Sequence, residues 1–193
     1  MNESFSGGLT FEKVWTYNTN KPGFNACQPL VHNGYAYIVS YDGRVYKISL
    51  STGQLFDSRY LYTTVTSSPV IIGNKMYLAG HDGRIYVFNL SVSTFTAIAH
   101  KINNGISAPL LDATSGGVEK LLIADNSGNV IVKACQGFQT LGEYRINDYI
   151  RNAPAMGDKY VLTTVSGGVF VLDKDTATFG DVFWCSATII IPC

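Results

Sequence analysis

Charge of one sign is missing from this sequence. Fourteen basic residues balance fourteen acidic ones, and no block of like charge occurs anywhere in the 193 residues. Long-range attraction to a phosphate backbone or an anionic lipid surface needs such a block, so no nucleic-acid partner is expected. Long apolar runs are missing too. No stretch approaches the roughly 20 consecutive apolar residues of a membrane helix, so no membrane span is expected. The N-terminal MNESFSGGLTFEKVW has neither a basic n-region nor an apolar h-region, and no secretory signal is read in it.

Cysteine is scarce and scattered. Cys27, Cys135, Cys185 and Cys193 show no CxxC spacing and no histidine at ligand spacing, which argues against a zinc site. They read as buried or incidental thiols, with their disulfide state left open. His32, His81 and His100 fall at unrelated phases of the repeat described below, so no metal triad is expected. Neither G-x-S-x-G nor G-x-x-x-x-G-K-[ST] occurs, which removes the serine-nucleophile and phosphate-loop readings. The expectation is a chain with no catalytic residue, no cofactor and no metal, and not an enzyme.

A repeat is present. Tyr35–Ser40 is apolar, aromatic and β-branched, Asp42-Gly43 follows, and Arg44–Leu50 alternates again, the pattern of two strands joined by a tight turn. The pattern returns at 74–90, 119–134 and 158–173. Aligning Val45-Tyr46, Ile85-Tyr86, Val130-Ile131 and Val169-Phe170 sets the turn glycines Gly43, Gly83, Gly128 and Gly167 at steps of 40, 45 and 39. Five of the six prolines keep an independent phase: Pro29, Pro69, Pro109, Pro154 and Pro192 step by 40, 40, 45 and 38. The long step falls in the same repeat in both series. The whole chain therefore reads as a single repeat domain, with units at about 29–68, 69–108, 109–153 and 154–191 and an extra fourth-strand-like piece at 9–17.

Each unit holds four strand-like pieces: an inner segment after the proline, the two hairpin strands, and a fourth strand. An aromatic precedes the next proline by 13 or 14 residues in most units, namely Trp15, Phe56, Phe95 and Phe179; in the third unit Leu141 holds that place and Phe138 lies three residues earlier. Such an aromatic is expected to pack between sheets. Asp42 and Asp82, with Ser127 and Ser166 at the matching places, are expected to bond locally to turn backbone. Trp184 is off the aromatic phase. No window shows a helical apolar period. Four-stranded sheets that are apolar on both faces each need a neighbour on either side, and a β-propeller supplies it. A proline opening the innermost strand fits, because the missing N–H matters least at a strand's first residue.

Ser67–Leu90 (SSPVIIGNKMYLAGHDGRIYVFNL) and Ser40–Phe56 (SYDGRVYKISLSTGQLF) resemble the repeat of the pyrroloquinoline-quinone-like, or quinoprotein alcohol dehydrogenase-like, β-propellers. The resemblance runs from about 29 to 192 and weakens in the later units, where Asn126-Ser127 and Ser166 replace the Asp turn. It implies an all-β propeller of four-stranded antiparallel blades. Its members include quinoprotein dehydrogenases and the lipoprotein scaffold of the outer-membrane assembly machine, and an envelope, periplasmic or extracellular setting follows by resemblance. With four units, three arrangements stand open: part of a larger propeller, two copies completing one ring as a homodimer, or a small closed ring.

Recognition is expected in the loops from each fourth strand to the next inner strand, which gather on one rim: 19–28, 62–68, 102–108 and 147–153. Phe24, Asn25, Asn103, Asn104, Tyr149 and Arg151 supply aromatic, amide and guanidinium groups suited to a protein or peptide partner. The expected function is a non-enzymatic scaffold or binding module. The alternatives are a fragment of a quinoprotein oxidoreductase, disfavoured because no two cysteines are adjacent, and a carbohydrate-binding propeller lectin.

Overall fold

A computed structural model describes residues 13–19, 27–92, 95–102, 104–106, 108–150, 155–156, 159–173 and 179–184, with side chains outside 155–156, 173 and 179–184. Within these residues there is no helix, and every repeat folds as one antiparallel sheet, its strands in sequence order from inner to outer edge. Blade 1 holds β1 (Leu30–His32), β2 (Tyr35–Val39), β3 (Arg44–Ser49) and β4 (Leu55–Tyr60). Blade 2 holds β5 (Val70–Ile72), β6 (Lys75–Ala79), β7 (Arg84–Asn89) and β8 (Ala97–Lys101). Blade 3 holds β9 (Leu111–Asp112), β10 (Lys120–Ala124), β11 (Asn129–Ala134) and β12 (Thr140–Arg145). Blade 4 holds β13 (Ala155–Met156), β14 (Lys159–Thr163), β15 (Gly168–Asp173) and β16 (Phe179–Trp184).

The expected turn glycines are where the hairpins reverse. Gly43, Gly83, Gly128 and Gly167 all have φ between 73° and 88°, a region closed to most side chains. The same register recurs in each hairpin, for example Val39↔Val45, Ala79↔Ile85 and Ala124↔Val130.

Alternation along the hairpin strands gives each blade two apolar faces, and the core forms between blades. Tyr37, Val39 and Val45 of blade 1 meet Met76, Leu78 and Phe88 of blade 2. The other face of blade 2, with Tyr77, Ala79 and Ile85, meets Leu121, Ile123 and Ile131 of blade 3. Leu122, Ala124 and Val130 then meet Tyr160, Leu162 and Phe170 of blade 4. Among the described residues no cluster joins blade 4 back to blade 1, and the stack of sheets is not closed, as in a partial propeller.

The expected seat of the outer aromatic holds at some joints and fails at others. Trp15 packs across the β3–β4 turn, where a Cβ on Gly53 would stand 2.7 Å from the indole, and its Nε1–H donates to the Leu50 carbonyl at 2.7 Å. Phe95 is 5% exposed, in the cluster between blades 1 and 2, 4.7 Å from the Phe88 ring. Phe56 is 51% exposed and stays on its own blade, edge-on to Tyr35 with the Lys47 ammonium 4.5 Å from its ring. Phe138 leans back onto blade 2, stacked on His100 at 4.0 Å, while Leu141 is exposed. The side chains of Phe179 and Trp184 lie outside the described residues.

Cys27 and Cys135 are free and buried. Burial pushes the Cys27 thiol up to about 11, and its Sγ–H donates to the Ser67 carbonyl. Cys185 and Cys193 lie outside the described residues.

Candidate functional site

The rim is built by a backbone device repeated at each joint. The first residue after an outer strand donates its N–H to the turn glycine of its own hairpin: Leu61 to Gly43, Ile102 to Gly83, Ile146 to Gly128. Further along, the loop accepts from the turn of the following hairpin: His81 N–H to Thr64, Asn126 N–H to Gly105, Val165 N–H to Tyr149. Each crossing loop is thus stitched to two blades. The consequence is that hairpin turns and crossing loops share one rim, so the turn residues belong to the site.

The acidic turn residues mostly hold this rim together. Asp42 and Asp82 each accept the N–H two residues on, from Arg44 and Arg84, as expected. Asp82 also accepts from the Arg84 guanidinium at 2.6 Å and the Tyr86 hydroxyl at 2.8 Å. Burial works to raise the Asp82 carboxyl, but the bonds from Arg84 and Tyr86 together outweigh it and hold it below its usual value. Burial, then the same carboxylate, pushes the Tyr86 hydroxyl up to about 12.

In blade 3 the acid moves two places upstream. Buried Asp125 accepts from the Ser127 and Asn129 backbone N–H groups and from the Asn129 and Asn104 amides. Ser166 differs from the expected local bond as well: its hydroxyl meets the Asp148 carboxylate on the crossing loop at 3.2 Å. Hydrogen bonding from the Thr164 hydroxyl, with the Tyr149 and Ser166 N–H groups, keeps Asp148 below its usual value against partial burial.

Of the six rim residues expected from the sequence, Phe24, Asn25, Asn103 and Arg151 lie outside the described residues. Asn104 is on the rim, but its amide donates to Asp125 at 2.9 Å, a bond between the crossing loop and blade 3. Tyr149 is on the rim and exposed, with its backbone N–H and C=O both engaged. The structure thus leaves the Tyr149 side chain exposed on the rim and ties that of Asn104 to blade 3.

The sequence reading passed over a tyrosine cluster on the blade 1 rim. Tyr62 is 86% exposed, with φ of 57°, and its ring lies 4.4 Å from that of Tyr60. Arg44 stands 5.0 Å over the Tyr60 ring, and Tyr41 is exposed in the adjoining turn. A signal was available: Tyr60, Tyr62 and Tyr41 crowd the turn and the start of a crossing loop, where solvation alone calls for polar residues.

No family model matches the chain, and no curated protein matches it in sequence. Solved structures do match in fold. BamB from Moraxella catarrhalis superposes with a TM-score of 0.64 at 16% identity, over 77% of this chain and 46% of that one. A computationally designed protein, Ika8, gives 0.68 at 18% identity over 80% and 48%. Sqt1 from Saccharomyces cerevisiae gives 0.65 at 12% identity over 77% and 43%. The chain spans under half the length of each of these structures, and at such identities the likeness shows the propeller-type fold alone.

Proposed function

We propose that this chain is a non-catalytic β-propeller scaffold that offers its turn-bearing rim to a protein partner. The observation that carries the reading is Tyr62, exposed beside Tyr60 and Arg44 in a left-handed backbone conformation. That conformation costs a non-glycine residue about 1–2 kcal/mol. A large aromatic kept there against strain and hydration is accounted for by contact with another molecule. Tyrosine and arginine are also the side chains that dominate binding hot spots. The fold supports the reading as a rigid platform for variable loops.

Proteins retained by the immobilised wild-type chain are compared with those retained by Tyr62→Ser and Tyr149→Ser. Loss of the same partner from both variants, with unchanged urea midpoints, is expected; undiminished capture by both removes the rim as the site. The joints carry different side chains, Tyr62, Asn104 and Tyr149, which weighs against the equivalent pockets of a lectin. Val161, Val169 and Val171, on the face of blade 4 turned away from blade 3, are half-buried. We assign that apolar face to contact with a second copy, measurable as concentration-dependent sedimentation.

A further inference from the structure

A second surface, away from the rim, lies at the outer edge of the joint between blades 2 and 3. There the packing leaves a groove of about 270 Å³ lined by Lys75, Val87, Asn89, Ile98, His100 and Phe138, among others. The backbone shows why it exists. Leu50 N–H bonds to Gly34 and Ser49 N–H to Gln54 in blade 1; Cys135 N–H bonds to Glu119 and Ala134 N–H to Gln139 in blade 3. The two turns therefore share one register, and Phe138 stands where blade 1 has Gly53, with a left-handed φ of 55° against 69°, although in blade 3 the preceding Gly137 is left-handed as well. In blade 1 the preceding aromatic, Trp15, fills the seat over the glycine and bonds the Leu50 carbonyl. In blade 3 the equivalent Cys135 carbonyl receives, among the described residues, a long 3.4 Å contact from Lys75, and Phe138 is tipped onto His100. The indole-sized seat stays partly unfilled.

One wall of this groove is β8, which pairs with β7 and, among the described residues, has no strand on its other side. Outer strands are normally guarded by charge. β4 carries Asp57 and Arg59, and β12 carries Glu143 and Arg145, whereas the charge of β8 is confined to Lys101 at its end, after Ala97-Ile98-Ala99. Ile98 is 67% exposed. The charge in and beside the lining is basic: Lys75 in the lining and Lys133 at 5.8 Å from the Phe138 ring, while burial and Lys133 together favour the neutral form of His100. Two acids, Glu119 and Asp112, lie outside the lining, Glu119 against Gly73, though both act on the lining Cys135 thiol.

We propose that this groove docks an extended acidic segment of a partner protein, which pairs with the free edge of β8 and drops one aromatic side chain into the groove between Ile98 and Phe138. Main-chain pairing with β8 supplies the hold, and the single pocket beside Lys75 selects the side chain and the flanking carboxylates. The rim reading stands or falls separately, since neither Tyr62 nor Tyr149 touches this groove.

The test uses a fluorescein-labelled hexapeptide, Glu-Thr-Phe-Thr-Glu-Thr, with Ala-for-Phe and Lys-for-Glu controls, titrated against the whole ¹⁵N-labelled chain. Saturable binding is expected, with amide shifts centred on Ile98, Ala99, His100 and Gly137. Each control peptide, and each of Ile98→Glu and Lys75→Glu at unchanged thermal midpoint, should weaken it by about tenfold or more. Absence of saturable binding, equal affinity for the variants, or shifts centred on Tyr62 and Tyr149 would overturn the proposal. So would equivalent groove shifts from 3-phenylpropionate with β8 amides unmoved, which would make the ligand a small apolar acid. Dimerisation of the free chain that Ile98→Glu abolishes would make the occupant a second copy, and would equally overturn it.

Discussion

Tyr62 separates the needs of folding from those of binding at a single position. Glycine enters its left-handed conformation freely, so Tyr62→Gly relieves about 1–2 kcal/mol of backbone strain but forfeits the ring contact with Tyr60, worth about 0.5–1.5 kcal/mol. The larger entropy of an unfolded glycine takes back about 0.5–1 kcal/mol. The urea midpoint of Tyr62→Gly is therefore expected to match the wild type within about 0.5 kcal/mol, while partner capture drops. A variant that loses stability in step with capture would make Tyr62 a folding residue.

Asp82 sets a second expectation at this scale. Its folded pKa lies below its ordinary value through Arg84 and Tyr86, despite burial. A depressed carboxylate adds stability above the unfolded pKa of about 3.9 and loses it as pH falls through the folded value. The urea midpoint should fall as pH drops below about 4, and Asp82→Asn should flatten that part of the profile. Asp148 has the same sign, screened by its exposure to solvent. The turn role of Asp82 was legible in Asp82-Gly83, because an Asp two residues before an N–H caps it wherever the turn occurs. Asp125 was not, because its main partners, Asn129 and Asn104, come from a strand and a crossing loop that only the fold brings to it.

At the scale of elements, the hairpins and inner strands could be read from Gly43, Gly83, Gly128 and Gly167 and from the prolines, since each of those residues restricts its own backbone. The outer aromatics could not, because their direction depends on strand register. In blade 1 Lys47 faces Asp57 but Ile48 faces Leu55, so Phe56 is the extra residue of a β-bulge and falls beside Lys47 on its own sheet. β8 pairs with β7 without a shift, and Phe95, just ahead of it, turns into the core toward blade 1. One residue of register thus decides whether a phenylalanine at nearly the same sequence phase is buried. Phe95→Ala should cost about 3–5 kcal/mol, as for a buried aromatic. Phe56→Ala should cost under about 1 kcal/mol, as at other half-exposed positions. Paired denaturant melts that gave the two variants equal losses would refute this account of the bulge.

Across the whole molecule, stability should follow how many faces of a blade are covered. Blades 2 and 3 bury both faces, each contributing to two of the three core clusters, whereas blade 4 contributes to one. In a stack where each unit contacts only its neighbours, a unit with one interface opens at lower free energy than a unit with two. The half-buried Val161, Val169 and Val171 on the far face of blade 4 add little to holding β14 and β15 closed. Native-state amide exchange should therefore be slowest in β6, β7, β10 and β11 and distinctly faster in β14 and β15. The order should hold in dilute protein and narrow as concentration rises, because a second copy seated on the valine face supplies the missing interface. Substituting Val171→Glu should abolish the concentration dependence and leave the slow amides of blades 2 and 3 unchanged. If β14 and β15 were instead as protected as β10 and β11 at every concentration, the blades would be unfolding as one unit, and the neighbour-by-neighbour account of this stack would fail.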